Sequence, residues 1–375
     1  MNFLKKDRTT LERFLPSLDA KLAEIPLTEI EKPGNPGLAM LRELEGTALL
    51  IPTEHGGKGA TPVEAIQIHR AVAARSPSLA IAMTMHNFSV ATLVEYLFYG
   101  SYTVDLLNQI SGAQLLVASG FAEGRTSSSI LDPFVKATPS NGGGYTINGS
   151  KKPCSLSNSM HLLTASVAVP GISGNGTRRA VAVIPADAEG LTRKPFWKST
   201  VLGGAESDEV VLTDVAISAE QLFFPEVEET LDAVEAGGFL WFELLVSASY
   251  LGVASALVER AIERNRGDAP ERMQLAIEAE GAMSALEGVA RAMETGDRGE
   301  DILVQSLLVR FMVQQAIERI TARAAELLGG MAFIGAPDVA YLFAASRALA
   351  FHPPSRLSVA TAVDNYLHGQ PMQVA

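Results

Sequence analysis

Cys154 is the one cysteine in this chain of 375 residues, so no internal disulfide and no cysteine-held zinc or iron–sulfur cluster can form. That scarcity fits a reducing, cytoplasmic setting. Basic residues are few as well: 30 lysines and arginines stand against 42 acidic residues, for a formal charge of −12. Neutralising phosphate needs lysine and arginine, so a general affinity for nucleic acid is excluded. The six histidines (His55, His69, His86, His161, His352, His368) are scattered without a His-Glu-x-x-His spacing, and no metal site is expected. No uninterrupted apolar run reaches the ~18 residues of a membrane span. The opening Met1-Asn-Phe-Leu-Lys-Lys-Asp has charges but lacks the apolar stretch of a signal peptide.

What is present is a globular composition, 47% hydrophobic and 19% charged, in a chain long enough for two or three cores. Apolar residues recur at helical spacing from Thr10 to Gln109, interrupted by the glycine-rich loop Thr53–Pro62. Short β-like runs follow at Gln114–Ser119, Phe134–Thr138, Tyr145–Ile147, Leu162–Val169, Arg179–Pro185 and Val210–Ile217. Asn141-Gly-Gly-Gly144 reads as a hairpin turn between two of them. Helical patterns return at Gly237–Asn265, Pro270–Thr295, Asp301–Leu328, Pro337–Phe351 and Ser355–Leu367. The fold class expected is α+β: an N-terminal helical domain over 1–112, a middle, mainly antiparallel β-barrel-like domain over 113–222, and a C-terminal antiparallel helical bundle over 223–375.

Ala348-Leu-Ala-Phe-His-Pro-Pro-Ser-Arg356 stands out within the last of these. Successive prolines cannot continue a helix, and the residue before a proline is pushed out of helical geometry, so His352 must sit where a helix stops. A rigid break of this kind can present a catalytic imidazole, and it can equally hold a buried histidine whose bonds are all satisfied.

The order helices, strands, helices resembles the acyl-CoA dehydrogenase superfamily over nearly the whole chain. The carriers are Pro52-Thr-Glu-His-Gly-Gly-Lys-Gly59, Val117-Ala-Ser-Gly-Phe-Ala-Glu-Gly124, Tyr145-Thr-Ile-Asn-Gly-Ser-Lys151, Thr200-Val-Leu-Gly203 with Val211-Leu-Thr-Asp-Val215, and Glu326-Leu-Leu-Gly-Gly330. The resemblance implies a flavin, FAD or the smaller FMN, between the strand domain and the bundle. Ser119, Phe121 and Ala122 would lie along it, Ser128 would meet its phosphates, and Ser155 would bond its N5 and O4 region. Arg264, Glu326, Gly329 and Gly330 would approach the flavin of a neighbouring subunit in a homotetramer or homodimer. The chain departs from the family at Glu263-Arg-Asn-Arg-Gly-Asp-Ala-Pro270, where the usual phenylalanine after the arginine is missing.

Two catalytic assignments follow from the resemblance. The first is α,β-dehydrogenation of an acyl thioester of CoA or a carrier protein. It needs a carboxylate base, and Glu243 in Leu240-Trp-Phe-Glu-Leu-Leu-Val246 is the candidate. An apolar helix burying such a group without a purpose would be costly, and the competing reading has Glu243 facing solvent or paired with an arginine. Trp241 and Phe351 would line the substrate pocket, with His86 either beside them or in a core or capping role, and an electron-transfer partner would drain the flavin. The second assignment comes from the dibenzothiophene monooxygenase branch, which oxygenates with reduced flavin and carries a histidine closely followed by proline. There His352, titrating near neutral pH, would handle protons, and a flavin reductase would be the partner. The dehydrogenase is the leading expectation. A third reading, a non-catalytic partner subunit, follows from the missing motifs.

Overall fold

Four of the longer helices, those starting at Pro62, Pro77, Ala233 and Ala269, begin at a side-chain cap. The computed structural model describes residues 1–99, 101–125, 133–171, 176–225 and 231–372. Its N-terminal part comprises α1 (Lys5–Phe14), α2 (Leu18–Ala23), α3 (Leu27–Ile30), α4 (Gly37–Glu43), α5 (Pro62–Ala73), α6 (Pro77–Glu95) and α7 (Ser101–Ala113). Thr61 and Glu64 close a capping box ahead of α5, with Pro62 in its first turn. Ser76 accepts the Leu79 N–H at the start of α6. α6 is apolar nearly all round and correspondingly buried.

The strands are β1 (Val117–Gly120), β2 (Lys136–Pro139), β3 (Gly144–Cys154), β4 (Leu162–Pro170), β5 (Thr177–Pro185), β6 (Leu191–Lys194), β7 (Asp208–Ser218) and β8 (Leu222–Phe223). They form one sheet in the order β6-β7-β3-β2-β4-β5-β8, with β1 also paired to β4. All six expected runs contain a strand, and the Asn141–Gly144 turn joins β2 to β3 antiparallel. The sheet is mixed, because β1 and β2 both run parallel to β4. β6 and β8 were invisible to the pattern. Leu191-Thr-Arg-Lys194 has a single apolar residue and Leu222-Phe223 is too short to show alternation.

The remaining helices are α8 (Ala233–Glu263), α9 (Ala269–Glu294), α10 (Glu300–Leu328), α11 (Gly330–Gly335), α12 (Pro337–Ser346) and α13 (Arg356–Leu367). Asp232 with Glu235 and Asp268 with Glu271 form capping boxes for α8 and α9. α8 is the axis of the fold, packed against α5, α6, α9, α10 and α12. It is also long and apolar enough to cross a membrane by composition, yet 94% of its most apolar window is buried inside the fold. Its crossing with α5 requires Gly252, since a Cβ there would stand 2.4 Å from the Arg70 carbonyl oxygen. Gly329, at φ 87°, ends α10 in the left-handed region that favours glycine. The helix expected over Pro337–Phe351 divides, with α12 stopping at Ser346 and a tighter 3-10 turn running from Arg347 to Phe351.

Candidate active site

Between the sheet and the bundle lies a cavity of about 340 Å³. The sheet contributes Ser119, Phe121, Ala122, Pro153, Ser155 and Ser207, and the connecting chain adds Trp197. Facing them are Met85 and Phe88 of α6, then Gly238, Phe239, Phe242 and Tyr250 of α8, and finally Phe351 and His352. Phe88 meets the Phe242 ring edge-on at 5.3 Å and lies 6.1 Å from Phe121, so aromatic carbon forms one end of the space. Ser155 Oγ and Ser207 Oγ, 3.0 Å apart, give the wall a polar border. Trp197, also on the wall, gives its indole N–H to the Val201 carbonyl at 2.8 Å.

His352 occupies the break expected for it, extended at φ −76° and ψ 136° after the 3-10 turn. Its Nε2 lies 2.9 Å from Tyr250 Oη. Burial, and then the nearby Arg310 charge, pull the imidazole down to about 3. The expectation of a ring titrating near neutral pH therefore fails: the ring is neutral across the physiological range. Burial pushes the Tyr250 phenol up, so it keeps its proton. Among the described residues Nε2 is the only partner for that proton, so Tyr250 donates, and the imidazole's own proton sits on Nδ1.

Glu243 is not in the cavity. The α8 residues that line it are Glu235, Gly238, Phe239, Phe242 and Tyr250, and neither Glu243 nor Trp241 is among them. Both Glu243 oxygens accept from Arg310 Nη1, at 3.0 and 3.1 Å, and each side chain of the pair is only 1% exposed. Burial raises the Glu243 carboxyl while the guanidinium opposes that rise. A carboxylate closed into an ion pair beneath the wall cannot reach a substrate, which removes Glu243 as the base and Trp241 as a pocket residue.

His86 is also corrected. Its Nε2 donates to the Thr47 carbonyl at 2.8 Å and its Nδ1 accepts the Val117 N–H at 3.0 Å, so a fully buried, neutral imidazole fastens β1 to the N-terminal helices. Arg264, Glu326, Gly329 and Gly330 are likewise absent from the cavity wall of their own subunit. Ser128 lies outside the described residues. Ser119, Phe121, Ala122, Ser155, Phe351 and His352 are brought together as expected. Sequence reasoning missed Tyr250, Ser207 and Arg310. Arg310, a charge between Val309 and Phe311 in an otherwise apolar stretch, was the available signal. It missed also the Arg179–Glu235 ion pair, closed by two contacts of 2.6 Å, which lines the cavity as a self-neutralised unit.

No protein-family model matches the chain. It is 44% identical to isobutylamine N-hydroxylase of Streptomyces viridifaciens over 380 residues, covering 100% of both proteins. The structure of KijD3 in complex with FMN and a dTDP-linked amino-keto sugar superposes with a TM-score of 0.84 at 20% identity, covering 99% of this chain and 96% of that one. FMN-bound TdsC of Paenibacillus sp. A11-2, a dibenzothiophene monooxygenase, gives 0.80 at 19% identity over 100% and 99%. These likenesses bear out the fold. They overturn α,β-dehydrogenation of an acyl thioester as the leading reading, because the relative that matches end to end is an N-hydroxylase. The buried Glu243–Arg310 pair accounts for that correction in physical terms.

Proposed function

The chain belongs to the flavin monooxygenases built on the acyl-CoA dehydrogenase fold, and from that premise we propose that it hydroxylates the nitrogen of a small primary amine with reduced FMN and O2. When bound, the reduced flavin supplies the two electrons that divide O2 between product and water, so that R–NH2 becomes R–NHOH. The cavity suits a flavin ring. It is largely apolar, with Trp197 on its wall and the paired hydroxyls of Ser155 and Ser207 at a polar border, and with Ser119, Phe121 and Ala122 along the strand side. The substitution of Gly267-Asp-Ala-Pro270 for the aromatic segment after the arginines supports FMN over FAD. A separate flavin reductase supplies the reduced cofactor. In a homodimer or homotetramer, Arg264, Glu326, Gly329 and Gly330 reach toward a partner's flavin.

An amine attacks oxygen only through a free lone pair, so the site must take up the uncharged base. Apolar walls disfavour the ammonium form, and the Glu235 carboxylate on the wall is already paired with Arg179. The neutral His352 offers its Nδ1 proton to the reacting atoms while Tyr250 occupies Nε2. The observation that carries this reading is the end-to-end likeness to an amine N-hydroxylase around a cavity whose presented imidazole is uncharged.

The test combines the purified chain, FMN, a flavin reductase with its nicotinamide, O2 and a panel of small alkylamines, with hydroxylamine product measured by mass spectrometry. Oxygen-dependent N-hydroxylation of at least one amine is expected. Absence of hydroxylamine across the panel, with a sulfur heterocycle oxygenated instead, would overturn the amine assignment.

A further inference from the structure

We infer that the buried Glu243–Arg310 pair is a positioning device for His352, gripping its backbone so that its ring is presented to the cavity in one orientation. The inference rests on the proposed role of His352. Where the 3-10 turn ends, Pro353 and Pro354 contribute no N–H; the Leu349 carbonyl still accepts the His352 N–H at 3.2 Å, while the His352 and Pro354 carbonyls lie beyond the last turn. Arg310, reaching across from α10, supplies the donors. Its Nη2 contacts the His352 carbonyl at 2.5 Å and the Leu349 carbonyl at 3.4 Å, and its Nη1 contacts the Pro354 carbonyl at 3.0 Å. One planar fork thus holds three carbonyls, that of His352 itself and one on either side of it.

A guanidinium so deeply buried needs a counter-charge, and Glu243 provides it through both oxygens at 3.0 and 3.1 Å. Glu243 follows Phe242, whose ring stands 6.1 Å from the imidazole, and Tyr250 lies two turns further along the same helix. α8 therefore fixes His352 twice: directly at Nε2 through Tyr250, and at the main chain through Glu243 and Arg310. Glu243 and Arg310 are positioning residues because neither touches the cavity.

The test uses Arg310→Lys, which keeps the charge but cannot span three carbonyls, and Glu243→Gln, which keeps the shape and serves if the lysine variant fails to fold. The first readout needs no cofactor: imidazole nitrogen shifts of His352 in the flavin-free protein, assigned by comparison with His352→Gln. Wild type is expected to show one neutral tautomer with its proton on Nδ1, and the variants a mixture of tautomers. In turnover with an amine that wild type accepts, product per O2 consumed should fall by about tenfold or more while KM changes by less than about twofold, as misplaced catalytic groups do. Variants that keep the single tautomer and wild-type product yield, and lose only thermal stability, would overturn the inference. Should wild type hydroxylate no amine, the functional reading falls, and the nitrogen shifts still judge the clamp.

Discussion

Tyr250 Oη lies 2.9 Å from His352 Nε2 and ties the middle of α8 to a residue 102 positions further along the chain. The two rings stand 5.5 Å apart, tilted by 54°, so the contact is made by the polar atoms and not by stacking. With Nε2 the only partner for the phenol proton among the described residues, Tyr250 donates and the neutral imidazole accepts. This single bond sets which ring nitrogen of the neutral imidazole carries the proton.

Tyr250→Phe removes that donor and changes little else in shape. Stability should fall by about 1 kcal/mol, the usual net worth of one hydrogen bond. Amine hydroxylation should slow by about tenfold or more, because the imidazole proton is free to move between nitrogens. Denaturant midpoints and product per O2 consumed check the two halves separately; an unchanged product yield would deny the tyrosine its role.

Three histidines, His69, His86 and His352, are held at about 3, 4 and 3 by burial, against 6.5 when exposed. Between those values the unfolded chain binds protons that these folded histidines refuse, so the part of the stability they govern is full above pH 6.5 and declines as the pH falls through the window. Each group contributes a slope of up to about 1.4 kcal/mol per pH unit. His352→Gln should flatten the stability-versus-pH curve between pH 6.5 and 4 by the equivalent of one proton. Urea denaturation across that range measures it, and a slope identical to wild type would place the lost proton elsewhere.

The order of elements was legible in the sequence because its signals are local. Thr61 with Glu64, Asp268 with Glu271, and the Gly329–Gly330 stop each act within one turn of chain. The His352 break was legible for the same reason, since Pro353 and Pro354 act on their immediate neighbour. Facing was not legible along α8, whose residues are apolar on nearly every side, so nothing in the pattern said that Phe242 and not Trp241 or Glu243 meets the cavity. The partners that correct Glu243 and His86 are distant in sequence: Arg310 lies 67 residues from the first, and Thr47 and Val117 lie 39 and 31 from the second. Chain folding alone brings them together.

Ser155→Ala deletes one member of the hydroxyl pair at the polar border of the cavity, and Ser207 loses its 3.0 Å partner. If that border holds the flavin edge, FMN should bind about three- to tenfold more weakly, the equivalent of one hydrogen bond. Quenching of FMN fluorescence on titration into the protein reads this directly. Affinity equal to wild type would move the flavin ring away from Ser155.

Phe88 sets the size of the aromatic end of the cavity, with its ring edge-on to Phe242 at 5.3 Å and 6.1 Å from Phe121. Phe88→Leu keeps the site apolar and removes the ring. Leucine is smaller, so part of the lost packing is not recovered, and stability should fall by about 1–3 kcal/mol. If an amine's alkyl group rests in the vacated space, one methylene there is worth about 10- to 200-fold in discrimination. The kcat/KM ratio should therefore shift by about tenfold or more toward amines longer by one or two carbons, with activity on the shortest amines reduced. Steady-state hydroxylation of a homologous alkylamine series measures the shift. A preference order identical to wild type would mean that the alkyl group rests elsewhere, with the wall of Phe239 and Val181 the next surface to test.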